Sequence, residues 1–147
     1  GKETLDVMGL GHILESAPAQ SSYQASRGTS TRDETYILAQ CIHGEARGEP
    51  YIGQVAVAAG VLNRVEHPSF PNTISGVIFQ PGAFTAVADG QMFLEPDESA
   101  FKAAKDALAG WDPSSGAIYY YNPATSTNRW IYSRPIIKTI GKHVFAN

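Results

Sequence analysis

The sequence predicts an α+β domain led by helices. Two observations carry that reading. Three segments with apolar periodicity and recognisable caps or stops occupy the earlier part of the domain, and the β-prone residues gather near its end. The first segment, "STRDETYILAQCIHGEARG", reads as a helix with a capping box: Thr31 caps the first turn and Glu34 reaches back to it. Gly48 ends that helix and Pro50 prevents its resumption. Next, "QVAVAAGVLNRVEH" is apolar on nearly every side, as expected of a helix wrapped by others at the centre of the core. "HPSFPNT" breaks it, and "ISGVIFQPGAFTAVADGQ" carries Gly/Pro punctuation that allows short strands, turns or a fragmentary helix. "EPDESAFKAAKDALAGW" is the third helix, with Asp97 as cap, Phe101, Ala104 and Leu108 on one face, and Gly110 as stop. After the loop "WDPSSG", "AIYYYN" reads as a strand. "RWIYSRPIIKTIGKHVF" is extended or irregular, with Pro135 arguing against a central strand. No internal repeat is visible.

The totals narrow the function classes. A length of 147 residues suits one domain with a real core, and 43% apolar against 17% charged residues marks a globular chain. A net charge of −3, with no Lys/Arg run to override it, argues against a nucleic-acid surface. No apolar stretch reaches the ~18 residues that a membrane-spanning segment needs. The lone Cys41 cannot form an internal disulfide, and its place on an apolar face makes it a small core residue rather than a nucleophile. Residues 1–30 end in "SAPAQSSYQASRGTS" and read as a flexible linker or a segment of cloning origin, so the folded domain is expected over 31–147. The N-terminus is mixed and polar, without the apolar centre of a signal peptide; a piece cut from a longer secreted precursor would start in the same way.

Glu45 is the first candidate for chemistry. At about 100° per residue, Ile37, Leu38, Cys41 and Ile42 share one face of the first helix, and Glu45 projects near its middle, in the last turn. Burial and the negative end of the helix dipole both favour the protonated form of such a carboxyl. That is the state a general acid needs if it is to protonate a leaving oxygen. The blander alternative pairs Glu45 with Arg47 or Arg64, and periodicity alone leaves both readings open. Glu49 lies beyond the Gly48 break and reads as a solvated turn residue. His12, His43, His67 and His143 are far apart and show no metal-ligand spacing, so no metal or cofactor is expected. His43 is about 160° of helical rotation from Glu45 and cannot share its face. There is no G-x-S-x-G nucleophile motif and no Gly-rich phosphate loop. In "YYYN", strand alternation sends Tyr119 and Tyr121 to one side and Tyr120 to the other. Those rings could line a sugar site or simply pack on the core.

Three segments, "GEARGEPYIGQVAVAAGVLNRV", "GVIFQPGAFTAVADGQ" and "YYYNPATSTNRWIYSRPIIKTIGKHVF", resemble in order the catalytic domains of the spore cortex-lytic enzymes, in the cell-wall hydrolase family. The resemblance runs from Thr31 to Asn147. It implies a lysozyme-like fold akin to lytic transglycosylases and resuscitation-promoting factors. It also implies cleavage of spore cortex peptidoglycan between N-acetylmuramic acid and N-acetylglucosamine during germination. The family's acid is the first Glu of G-E-A-R-G-E, which is Glu45 here. Tyr121 and Asn122 correspond to a Tyr-Asn pair that faces the acid in lytic transglycosylases, although the Gly that usually follows is absent. Ala46 stands where many such enzymes carry Ser or Thr. Gln80 and Phe84, from the middle segment, complete the implied substrate-binding set. The resemblance further implies a monomeric catalytic portion of a longer secreted protein, acting in the spore, with a YpeB-like partner protein.

Two-carboxylate glycosidases hold their second acid about 5–5.5 Å (retaining) or 6.5–9.5 Å (inverting) from the first. Of Glu49, Glu95, Asp97 and Asp89, Asp97 is better explained as a cap, while Asp89 and Glu95 read as loop residues. None stands out as the partner. A one-acid mechanism follows, in which Glu45 protonates the glycosidic oxygen and then takes the muramic C6 hydroxyl proton, leaving a 1,6-anhydro end. The rivals are hydrolysis of the same bond and, from another class, a non-catalytic peptidoglycan-binding module. A peptide-stem amidase would normally show a metal set or a Cys/His pair, and neither is present.

Overall fold

The computed structural model describes residues 32–147, so the Thr31 cap and the 1–30 segment lie outside the described residues. Helix α1 spans Arg32–Ala46, with Asp33 and Glu34 in its first turn, where the helix dipole favours acids. Leu38, Ala39, Cys41 and Ile42 on its inner face are fully buried. The chain leaves the helix through Gly48, whose φ of +89° is left-handed and suits glycine.

Helix α2, Tyr51–Glu66, starts earlier than the apolar run suggests, because Pro50 occupies the N-cap and leads straight into it. Every residue from Gly53 to Arg64 is buried, so α2 is the enclosed helix that its composition demands. Gly53 belongs inside it: a Cβ there would sit 3.4 Å from the Ile140 side chain. Helix α3, Ile74–Ile78, is capped by Thr73, whose Oγ1 accepts from the Gly76 N–H at 2.9 Å. Helix α4, Thr85–Ala88, and a 3-10 turn, Gln91–Phe93, follow, so of the options open for this stretch the chain takes the fragmentary helix.

Helix α5, Glu98–Leu108, is capped by Asp97, which accepts from the Ala100 N–H at 2.9 Å. Its buried stripe is Ala100, Ala103, Ala104 and Ala107, with Phe101 and Leu108 only partly buried at its margins. Through this stripe of small side chains α5 packs against α2 and α1. Polar ties fix the α2–α5 contact: the Tyr51 hydroxyl donates to Asp106 at 2.5 Å and the Ser99 hydroxyl to Gln54 at 2.8 Å.

Among the described residues the β content is one three-stranded antiparallel sheet in the order β1-β3-β2, with β1 Tyr119–Tyr121, β2 Ile136–Ile140 and β3 His143–Ala146. Strand β3 is central and buried throughout, while β2 starts just after Pro135 and takes an edge, where proline is tolerated. The register sets Tyr120 opposite Phe145 and Ile140 opposite His143, with Gly141 at φ +59° in the tight turn between β2 and β3.

Candidate active site

Glu45 sits in the last turn of α1, beside a cleft of about 230 Å³ lined by Gly44, Thr85, Ala86, Asp89, Tyr120, Asn122, Thr125 and His143. Its two oxygens have different donors. Oε2 accepts from the Ala86 N–H at 2.7 Å, and Oε1 accepts from the Tyr120 hydroxyl. Gly44 makes the first bond possible. A Cβ there would lie 2.6 Å from the Ala86 Cβ and 3.2 Å from the Met92 backbone, so only glycine lets α1 approach the α4 segment this closely.

Both arginines weighed as partners of Glu45 have bonds elsewhere. Arg47 reaches Gln91 at 2.5 Å and His43 at 3.2 Å, while Arg64 donates to the Ile118 carbonyl at 3.2 Å. Burial first, then the Glu45 charge and its hydrogen bond, push the Tyr120 phenol well above its ordinary range. Tyr120 therefore meets Glu45 as a neutral hydroxyl.

The strand alternation holds, but the tyrosine facing the acid is Tyr120. Tyr121 lies on the other side of β1, packed with Ile131 and Val144 and edge-on to Tyr132 at 5.0 Å. Asn122 does line the Glu45 cleft, and its Oδ1 accepts from the Ala124 N–H at 2.9 Å in a local turn. Phe84 is 1% exposed and fills the core, offering no surface to a substrate. Gln80 faces a different cleft, with Arg64, Tyr119 and Trp130.

Three residues that the sequence reading set aside bear on the site. Asp89 stands at the exposed rim of the Glu45 cleft and accepts from the Gln91 N–H at 3.0 Å. His143, at the start of β3, lines the cleft with its ring 4.6 Å from that of Tyr120. Glu49 corrects the expectation of a solvated turn residue: its side chain is 9% exposed, its Oε1 accepts from the Lys142 N–H at 3.0 Å, and it lies 3.8 Å from His143 Nδ1. Glu49 thus pins the turn that delivers His143. Asp97 caps α5 as read, and Glu95 accepts from the Tyr36 hydroxyl at 3.2 Å, apart from the cleft. Among the described residues no group of three or more His, Cys, Asp or Glu is placed to hold a metal ion.

A short sheet and a helix-borne glutamate facing each other across a cleft define a lysozyme-like α+β domain. The chain belongs to the Cell Wall Hydrolase family, whose model matches residues 48–146 and so begins three residues after Glu45. It is 62% identical over 115 residues to a spore cortex-lytic enzyme of Halalkalibacterium halodurans, covering 78% of this chain and 35% of that protein. It is 54% identical over 135 residues to one from Bacillus cereus, covering 92% of this chain and 52% of that protein. The chain thus spans about half, or less, of these relatives. Among solved structures, the catalytic domain of the germination-specific lytic transglycosylase SleB from Bacillus anthracis superposes with a TM-score of 0.77 at 59% identity, covering 80% of this chain and 96% of that one.

Proposed function

We propose that this domain cleaves the glycan strands of spore cortex peptidoglycan between N-acetylmuramic acid and N-acetylglucosamine, as a lytic transglycosylase with Glu45 as acid and then base. The observation that carries the reading is the asymmetric setting of the Glu45 carboxyl. The Ala86 N–H is an obligate donor, so Oε2 must remain an acceptor. The Tyr120 hydroxyl can donate or accept, so Oε1 can carry a proton once that hydroxyl turns. Oε1 is therefore the atom that delivers the proton to the glycosidic oxygen. The same oxygen then accepts the proton of the muramic C6 hydroxyl as that oxygen attacks C1. Tyr120 donates to Oε1 whenever it is charged; when Oε1 carries the proton the hydroxyl turns aside, so that the proton faces the glycosidic oxygen.

Support for the substrate comes from the names of the relatives, spore cortex-lytic enzymes, and from the lytic transglycosylase domain that this chain matches over most of its length. On this reading the domain is the catalytic part of a longer secreted protein of the spore. Its pairing with a YpeB-like protein rests on the family resemblance alone. One observation favours hydrolysis of the same bond: Asp89 shares the cleft and could hold a water against C1.

The test of the acid is Glu45→Gln, which keeps the shape and cannot deliver a proton. The turbidity loss of purified cortex should slow by about 10²–10⁴-fold, the usual worth of general acid catalysis, in a variant that melts like the parent. A variant that retains more than about a tenth of the rate removes Glu45 from the mechanism.

A further inference from the structure

Beside the Glu45 cleft lies a second one, of about 240 Å³, lined by Arg64, Phe70, Gln80, Tyr119 and Trp130 among others. The same three segments feed both clefts. Residues 80–83 line the second and 85, 86 and 89 the first; 128 and 130 line the second and 122 and 125 the first. Tyr119 belongs to the second and its neighbour Tyr120 to the first. The two clefts are thus neighbours along all three segments.

Arg64 is the anomaly in the second cleft. It is 4% exposed, yet its neighbours are the Ile118 carbonyl at 3.2 Å, the Phe70 ring at 4.4 Å, the Tyr119 ring at 5.7 Å and, through their charge, the Tyr120 hydroxyl and the Cys41 thiol. None of these is a carboxylate, whereas buried charges are normally paired with one. Burial lowers its pKa to about 9, which still leaves it charged at neutral pH. With Nε committed to Ile118, the two terminal nitrogens remain to grip a planar anion. The Gln80 Oε1 is buried without a hydrogen-bond partner and calls for an N–H. Trp130 is 49% exposed, with Tyr119 edge-on at 5.1 Å and the Arg134 guanidinium 5.2 Å from its ring. Its indole offers a flat face of the kind on which a sugar ring packs.

We propose that the Arg64–Gln80–Trp130 cleft is a second substrate subsite, which takes the carboxylate-bearing substituent of a muramic residue next along the strand. This deepens the proposed glycan cleavage and rests on it for the identity of the ligand. Arg64 reads the carboxylate, Gln80 accepts from an acetamido or peptide N–H, and Trp130 carries the ring. The carboxylate has two sources, the lactyl group itself or the end of a peptide stem attached to it.

The experiment is an NMR titration of the wild-type chain, which needs no turnover, following the Trp130 indole N–H and the Arg64 Nε–H. The probes are N-acetylmuramic acid, its methyl ester, N-acetylmuramoyl-alanine and N-acetylglucosamine. Both acids should shift these signals, and the ester and N-acetylglucosamine should bind about tenfold or more weakly, since hydrogen bonds to charged groups are the strong ones. Whichever acid binds more tightly identifies the source. Equal affinity for acid and ester, or shifts confined to the Glu45 cleft, overturns the subsite. Trp130→Ala, at an exposed position, should raise KM for cortex fragments several-fold with kcat little changed; an unchanged KM also counts against it. The two readings fail separately: carboxylate binding by a chain that cannot cleave cortex spares the subsite and removes the function, and cleavage without that binding does the reverse.

Discussion

On the proposed mechanism Glu45 needs a donor that steadies its charged form, and the structure places Tyr120, not Tyr121, against it. Tyr120→Phe should therefore lower turnover at least about tenfold, because the charged Oε1 loses its hydrogen-bond donor. Tyr121→Phe, on the other face of β1, should leave cortex lysis near the parent rate. Equal effects of the two variants in side-by-side turbidity assays would remove Tyr120 from the chemistry. The same contact has a signature in stability. The Tyr120 phenol is raised well above 10 by burial first and by Glu45 second. Below about pH 10 both folded and unfolded chains hold that proton, and the contribution is fully present. As pH rises beyond that, the unfolded chain ionises first, and stability falls by up to about 1.4 kcal/mol per pH unit for this one group. Urea unfolding at a series of alkaline pH values should show a shallower decline for Tyr120→Phe than for the parent; identical slopes would contradict the burial of that hydroxyl.

At the scale of elements, what was local in the sequence was legible and what was not local was missed. The stop at Gly48 and the Asp97 cap of α5 depend on neighbours a few residues away, and both are where the spacing puts them. The place of Glu45 was legible for the same reason, since helical periodicity alone set it among apolar residues in the last turn of α1. Which face of β1 meets α1 depends on the pairing of Tyr120 with Phe145 across the sheet, and alternation within "YYYN" cannot supply that. Glu49 was misread because its partner, the turn at Lys142, lies far along the chain. One signal was available and unused: Gly44, a glycine inside a helix immediately before the acid. By propensity alone Gly44→Ala should stabilise α1 by about 1 kcal/mol. The close approach of Ala86 and Met92 reverses this, and the variant should be destabilised by about 1–3 kcal/mol. It should also lose activity, as the Ala86 N–H is pushed away from Oε2. Thermal melts and cortex lysis measured together check both, and a more stable, fully active variant would show that α1 and α4 are not held at this distance.

For the whole molecule, the division of labour is between a helical core and a small sheet. Helices α1, α2 and α5 hold the acid on a rigid, alanine-packed scaffold, while the sheet and the α4 segment bring Tyr120, His143 and the Ala86 N–H to it. The central claim is that Glu45 serves alone as acid and base, so that the tethered C6 hydroxyl, and not water, attacks C1. Well-oriented intramolecular groups reach effective molarities of about 10⁵–10⁸ M, which water at ordinary concentration cannot match. Asp89 is the residue that could overturn this, since it stands at the same cleft and could orient a water molecule. Digestion of cortex in ¹⁸O-labelled water, followed by mass spectrometry of the muramic ends, reads the outcome directly. The account predicts 1,6-anhydro ends that carry no label. Reducing muramic ends that carry ¹⁸O would contradict it and make Asp89 the first residue to substitute.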